Sequence, residues 1–170
     1  LVGSEMCIRD RTRNGYSTYA LEFDGNDYVD VSNSESLKLD YLTIAAWVYP
    51  YSTNGYRMIL NKENAYEIAI GYGTLRYAIY RENEGWFWIN TGYPIQINTW
   101  THIALTYNGT HSTAYVNGNP IYTYRHGDLR KIDKRYNYNL RIGRRTWGSG
   151  SYFIGIIDDV YVFNVPLSST

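Results

Sequence analysis

The sequence predicts an all-β sandwich, and three observations carry the prediction. Short runs rich in β-branched and aromatic residues recur along the chain. Turn residues separate them at short spacing, as in Asp24-Gly25-Asn26-Asp27, Asn108-Gly109 and Asn117-Gly118. Twenty tyrosines and five tryptophans stand against two methionines, which suits amphipathic sheet faces. No stretch carries a convincing helical period. One short turn is expected within 34–39, and no internal repeat of roughly 20 to 50 residues is visible.

In chain order, Tyr19–Phe23 and Tyr28–Val31 flank the Asp24–Asp27 turn. Leu42–Tyr49 alternates, with Leu42, Ile44, Ala46 and Val48 on one face and Thr43, Ala45, Trp47 and Tyr49 on the other. Arg57–Asn61, Tyr66–Ile70 and Leu75–Tyr80 are shorter strands between Gly/Asn clusters. In Trp86–Asn90, Trp86, Trp88 and Asn90 oppose Phe87 and Ile89. Trp100–Tyr107 and Thr113–Val116 are joined by Asn108-Gly109, and Asn117-Gly118 leads into Ile121–Tyr124. Asn-Gly between alternating strands is the strongest short hairpin signal. Asn108-Gly109-Thr110 also matches a glycosylation acceptor, but the tight turn already accounts for it.

Leu140–Gly143 and Tyr152–Asn164 complete the set. The last stretch breaks strict alternation. Ile154, Ile156, Val160 and Val162 read as one face, while Ile157 is apolar on the other. The pattern fits a strand buried on both sides or a β-bulge at Asp158-Asp159. Two carboxylates in such a strand demand partners, whether a cation, backbone N–H groups or an arginine.

A chain of 170 residues reads as one domain, able to bury about 70% of its unfolded surface. Its single cysteine, Cys7, allows no internal disulfide and identifies no redox compartment. No apolar run approaches the roughly 20 residues of a membrane helix. The net charge is zero, but residues 125–145 hold eight basic side chains against Asp128 and Asp133. Overall charge disfavours a general nucleic-acid binder, while the basic segment offers a patch for an anionic partner.

Five stretches then occur in order: 20–29 (ALEFDGNDYV), 42–48 (LTIAAWV), 100–107 (WTHIALTY), 114–118 (AYVNG) and 155–160 (GIIDDV). Together they resemble the laminin-G-like, concanavalin A-like jelly-roll domains over roughly 17–167. The resemblance implies a two-sheet antiparallel sandwich, and a binding or adhesion domain more than one fixed activity, since this fold hosts both lectin-like modules and glycosidases. Residues 1–13 do not fit it. LVGSEMCIRDR resembles translated read-through of a sequencing adapter, a contaminant of environmental, metagenomic assemblies, so 1–13 is taken as non-native and 14–170 as the domain. Relatives continue beyond residue 170, which points to a piece of a longer multidomain protein.

Catalysis is not expected. Retaining glycosidases place two carboxyl groups about 5–5.5 Å apart, and no Glu-x-Asp-x-Glu pattern is present. Glu82 and Glu84 sit in a hairpin loop, Glu63 and Glu67 flank a turn too far apart, and Asp158 and Asp159 point to opposite faces of a regular strand. There is no Gly-x-Ser-x-Gly elbow and no metal-spaced histidine pair. His102 reads as a satisfied core or interface histidine. A structural calcium ion is a candidate, with Asp24, Asp27 and Asp158 and nearby loop carbonyls as ligands. Several laminin-G-like domains bind calcium, which supports the expectation.

Sugar binding rests on aromatics, because flat rings stack on sugar faces while Asn, Arg and Asp bond the hydroxyls. Trp47 and Trp100 fall in packing motifs. Trp147 lies in the glycine-flanked loop Arg144-Arg145-Thr146-Trp147-Gly148. The predicted ligand surface is Trp147 with Arg144, Arg145, Tyr136 and Tyr138, then Trp86 and Trp88. Arginine forks interleaved with rings suggest an acidic polysaccharide or glycoconjugate. The expectation is a non-catalytic carbohydrate-binding or adhesion module of a secreted or cell-surface protein. The alternatives are a structural or protein-interaction domain of a surface or virion protein, and then a glycoside hydrolase.

Overall fold

The computed structural model describes residues 8–13, 16–148 and 150–168, with only the backbone described for 8–13 and 16–18. Thirteen strands form two antiparallel sheets among these residues. They are β1 (Ile8–Arg13), β2 (Tyr16–Asp24), β3 (Val29–Val31), β4 (Leu42–Pro50), β5 (Tyr56–Lys62), β6 (Tyr66–Gly71) and β7 (Thr74–Arg81). Then come β8 (Gly85–Pro94), β9 (Thr101–Tyr107), β10 (His111–Val116), β11 (Asn119–Arg125), β12 (Leu140–Ile142) and β13 (Ile154–Phe163). The seven-stranded sheet runs β1-β2-β13-β4-β9-β10-β11 and the six-stranded sheet β3-β12-β5-β6-β7-β8. This is the expected jelly-roll sandwich. Among the described residues the one 3-10 turn, Glu35–Leu37, falls where a short turn was expected. β1 lies in the segment taken as non-native and pairs with β2 from Ile8↔Leu21 to Arg13↔Tyr16.

Alternation builds the core between the sheets. Leu42, Ile44, Ala46 and Val48 of β4 and Ile103, Leu105 and Tyr107 of β9 face Tyr66, Ile68 and Ile70 of β6 and Leu75, Tyr77 and Ile79 of β7. A polar bridge crosses this interior. Tyr77 Oη and Ser112 Oγ lie 2.7 Å apart, and Ser112 Oγ lies 2.8 Å from His126 Nε2. The chain links β7 to β10 and satisfies groups that burial would otherwise penalise. Trp47, Trp100 and His102 are not in this core. They are half-buried outside it, Trp47 against His102 at 5.3 Å and Trp100 against Tyr49 at 5.4 Å. Trp47 is an outward residue of β4, so its neighbours are side chains on the sheet surface.

β13 resolves the broken alternation. Its register with β4 shifts between Asp158 and Tyr161, and Asp159 adopts φ +47°. The bulge reading is therefore the right one, but the facing residues differ from the expectation. Ile157 packs in the core with Val160 and Val162, while Ile156 lies on the other side. The extra residue resets the side-chain phase, so odd positions face inward before the bulge and even positions after it.

Gly155 shows how tightly this strand is seated. It has φ +139°, and a Cβ there would collide with the Tyr49 carbonyl oxygen and lie 2.8 Å from Pro50 Cα. Both the dihedral and the contact exclude a side chain. Gly155→Ala is expected to cost roughly 3 kcal/mol of folding stability, measured by denaturant titration. A loss below about 0.5 kcal/mol would contradict this packing.

Candidate functional site

The connection between β12 and β13 runs along β5 and packs on the outer face of the six-stranded sheet over β5 and β6. Gly143 N donates to Ile59 O at 3.0 Å, Thr146 N to Asn61 Oδ1 at 3.0 Å, and Met58 N to Ser151 O at 3.1 Å. Strand register lines up Asp30, Arg141, Asn61, Glu67, Ala78 and Trp88 across β3, β12, β5, β6, β7 and β8. Asn61, Glu67 and Ala78 are all buried, although they face away from the apolar core. The loop reaches Asn61 through Thr146 N and Glu67 through Arg145.

Arg145 anchors that loop. Its Nε lies 3.1 Å from Glu63 Oε2 and 3.5 Å from Glu67 Oε2, and its Nη2 donates to Glu63 Oε1 at 3.1 Å. Asn61 Nδ2 donates to Glu67 at 2.9 Å and to Glu63 at 3.4 Å. The expectation that Glu63 and Glu67 stand too far apart is corrected here. The β5–β6 hairpin pairs Asn61 with Glu67 and folds Glu63 back over the same amide. Burial pushes the Glu67 carboxyl up to about 7, with Arg145 opposing the rise and Glu63 adding to it. The guanidinium occupies the space between the two acids that a scissile bond would need, and Glu67 is only 1% exposed. As arranged, the pair holds a loop.

Around this anchor the predicted aromatics converge. Trp88 meets Trp86 at 5.2 Å, Trp86 meets Tyr80 at 5.4 Å, and Tyr80 meets Tyr136 at 5.7 Å. Tyr136 stacks on Tyr138 at 6.1 Å and 14°, and Tyr138 meets Trp147 edge-on at 5.9 Å. Arg145 lies 5.0 Å from the Trp88 centroid and 5.7 Å from that of Trp86. A hollow of about 360 Å³ is lined by Glu63, Asn64, Tyr138 and Trp147, a size that small ligands occupy. Trp147 is 59% exposed and Trp88 45%.

Six of the seven predicted ligand residues are therefore linked by ring and guanidinium contacts, and two of them, Tyr138 and Trp147, line the hollow. Arg144 does not join them, since its guanidinium lies 5.0 Å from the Tyr28 ring and 4.9 Å from that of Tyr152. Tyr80, Asn61, Glu63, Asn64 and Glu67 were missed. A signal existed for Glu67, a lone carboxylate in the otherwise apolar run Tyr66-Glu67-Ile68-Ala69-Ile70.

Lys62, fully buried beside the groove, donates to Asn33 Oδ1 at 2.6 Å and to the Tyr138 carbonyl at 2.5 Å. It fixes the backbone that carries the Tyr138 ring. Burial, with Lys38 nearby, lowers its ammonium to about 8.

The basic segment is largely neutralised from within the domain. Arg130 pairs with Glu84, Lys131 and Lys134 share Asp40, Arg135 meets Asp133, and Arg141 meets Asp30 at 2.9 Å. Burial alone would raise Asp30, but hydrogen bonds from Arg141 and Asn139 hold it below the usual carboxylate range.

The three aspartates proposed as metal ligands do not converge. Asp27 Oδ2 accepts from Asp24 N at 3.3 Å, and Asn26 N donates to Asp24 Oδ1 at 3.0 Å. Asp158 lies elsewhere, because Ile154 is the residue of β13 that pairs with Asp24. Four residues further along the strand is about 13 Å. Among the described residues, no three His, Cys, Asp or Glu side chains are grouped for a metal ion.

Residues 23–170 match a laminin G family model described as the concanavalin A-like lectin/glucanases superfamily. The chain belongs to this superfamily. No curated protein sequence matches it. Among solved structures it is similar to domain 4 of AbnA, a GH43 extracellular arabinanase from Geobacillus stearothermophilus in complex with arabinotriose. Identity is 18% and the TM-score 0.74, over 98% of this chain and 79% of the other. It is also similar to a Bacteroides ovatus protein provisionally assigned to carbohydrate binding, at 22% identity and TM-score 0.74, covering 88% of this chain and 44% of that one. The binding domain of Paraclostridial Mosquitocidal Protein 1 gives 20% and 0.75, covering 96% and 43%. At these identities the likeness establishes the shared fold. The chain spans less than half of the latter two proteins. Among the described residues, no helix is long and apolar enough to cross a membrane.

Glu67 gives a pH test of the anchor. The folded state keeps its proton to higher pH than the unfolded chain, so Glu67 contributes stability at acid pH that is lost as pH rises from 4.5 through about 7. His126, lowered by burial to about 4, acts in the opposite sense below 6.5. Comparing Glu67→Gln with wild type cancels the histidine. The variant's melting temperature relative to wild type is expected to climb between pH 5 and pH 8, and a flat difference would refute the burial effect.

Proposed function

We propose that the domain is a non-catalytic carbohydrate-binding module of a secreted or surface protein, with its glycan site in the groove between Trp86, Trp88, Tyr136, Tyr138 and Trp147. One observation carries the reading: an unbroken relay of rings runs from Trp88 to Trp147, and its last two, Tyr138 and Trp147, line a hollow together with the polar Glu63 and Asn64. Rings of this kind meet the C–H faces of a sugar, while Glu63 and Asn64 offer acceptors and a donor for its hydroxyls. The fold shared with an arabinotriose-bound domain supports a glycan as the ligand class. Catalysis has little room, because Arg145 fills the gap between the two acids.

A glycan array tests this directly, with arabinan and other plant and microbial polysaccharides included. Trp147→Ala and Trp88→Ala are each expected to weaken binding about tenfold, as loss of one stacking contact does, without moving the melting temperature by more than about 2 °C. Unchanged affinity in both variants would remove the groove as the site.

A second reading has its own observation. Outward Ala45, Ala104, Tyr115 and Phe163 line an apolar trough on the seven-stranded sheet with Leu167, and Tyr161 stacks on Phe163 at 5.9 Å. That face suits a protein neighbour. A structural calcium ion also remains part of the proposal, reduced to Asp24, Asp27 and turn carbonyls. Asp27 is buried, and its Oδ1 has no hydrogen-bond partner. Added calcium is expected to raise the melting temperature and Asp27→Asn to abolish the rise. No shift with calcium or chelator would dismiss the ion.

A further inference from the structure

We infer that the groove selects neutral, hydroxyl-rich glycans and discriminates against polyanionic ones. The inference rests on the glycan-binding reading and concerns which class of glycan the same site takes. Sequence alone suggests the opposite, because arginines and rings interleave between Arg125 and Trp147. The difference lies in where the guanidinium groups are committed.

Arg145, the cation at the groove, is held on three sides. Glu63 takes both Nε and Nη2, Glu67 takes Nε, and the Trp88 and Trp86 rings lie 5.0 and 5.7 Å away. Turning it toward a sulfate or uronate would strip the partner from two buried carboxylates, and an unpaired buried charge is strongly disfavoured. Arg135, over the Tyr136 ring at 5.9 Å, is hydrogen-bonded to both oxygens of Asp133. Lys131 and Lys134 are shared by Asp40, and Arg141 by Asp30. Arg144 is turned onto Tyr28 and Tyr152.

The charged residue lining the hollow itself is Glu63. Its charge is offset by Arg145, so the carboxylate gives sugar hydroxyls its remaining lone pairs, and the pair leaves no uncommitted cation for an anionic substituent. Asn64, in the left-handed turn at φ +54°, places a side-chain amide beside it. The rings need only C–H faces, which every pyranose or furanose presents. The surface is therefore matched to polyols in chemistry and offers polyanions no uncommitted cation at the hollow.

Affinity electrophoresis of the 170-residue chain separates the possibilities. Gels would contain arabinan, xylan or glucomannan as neutral probes and polygalacturonate or heparin as acidic ones, run at low salt and at about 0.15 M. Retardation is expected in at least one neutral gel, unchanged by salt, and reduced about tenfold in apparent affinity by Trp147→Ala. Glu63→Gln, which keeps the shape and leaves Glu67 on Arg145, is expected to lower neutral binding and to gain salt-sensitive retardation in the acidic gels. Its melting curve checks that it folds. Retardation only in acidic gels, lost at 0.15 M salt, would overturn the neutral class and leave the glycan reading standing. Equal retardation in both sets would overturn the selectivity. No retardation in any gel would overturn the glycan reading itself.

Discussion

Much of the candidate site depends on one cation being held between two carboxylates. Arg145 sits on the β12–β13 connection, while Glu63 and Glu67 belong to the β5–β6 hairpin. The ion pair thus fastens a surface loop to the face of a sheet. Without it, two acids would lie buried under the loop with no counter-charge. With it, the loop is fixed firmly enough for Trp147 to stand beside Tyr138 and for Trp86 and Trp88 to pack on the guanidinium. The groove is a by-product of solving that electrostatic problem.

The same logic accounts for the charge distribution. Residues 125–145 are strongly basic and the rest of the chain correspondingly acidic. In the folded domain the two halves find each other, through Arg130 with Glu84, Lys131 and Lys134 with Asp40, Arg141 with Asp30, and Arg145 with Glu63 and Glu67. Exposed pairs of this type each add little to stability. Collectively they give the long β11–β12 connection, which has almost no regular structure, a fixed path across the sheet edge. That path places Tyr136 and Tyr138.

Much of the fold is legible in the residues because β-structure writes itself locally. The alternation of Leu42–Pro50 and of Trp86 to Asn90 predicts which side chains face inward, and Asn117-Gly118, with φ of +50° and +80°, forms the tight turn its composition requires. The aromatic members of the groove are legible for a related reason: Trp86 and Trp88 alternate against Phe87 and Ile89, and Trp147 sits between glycines. What sequence spacing hides is register. Glu63 and Glu67 are four residues apart across a turn, and only the pairing of Asn61 with Glu67 reveals that both acids reach one amide. Asp158 misleads in the opposite way, since it shares a strand pair with Asp24 yet lies several pairings beyond it. The phase of β13 is hidden too, because a run of isoleucines and valines does not say which residue the bulge leaves over.

The anchoring of the groove constrains how such a domain can diversify. A connection between two strands is ordinarily the part of a sandwich most open to exchange, since its length and composition leave the core untouched. Here the 143–153 segment carries the counter-ion for acids inherited on a different hairpin. A transplanted loop lacking a cation at position 145 would strand those acids, and one bearing it would bring the tryptophan platform to nearly the same place. Ligand preference in this scaffold is therefore retuned most easily at Thr146 and Trp147, while Arg145 and the Glu63–Glu67 hairpin have to change together or remain.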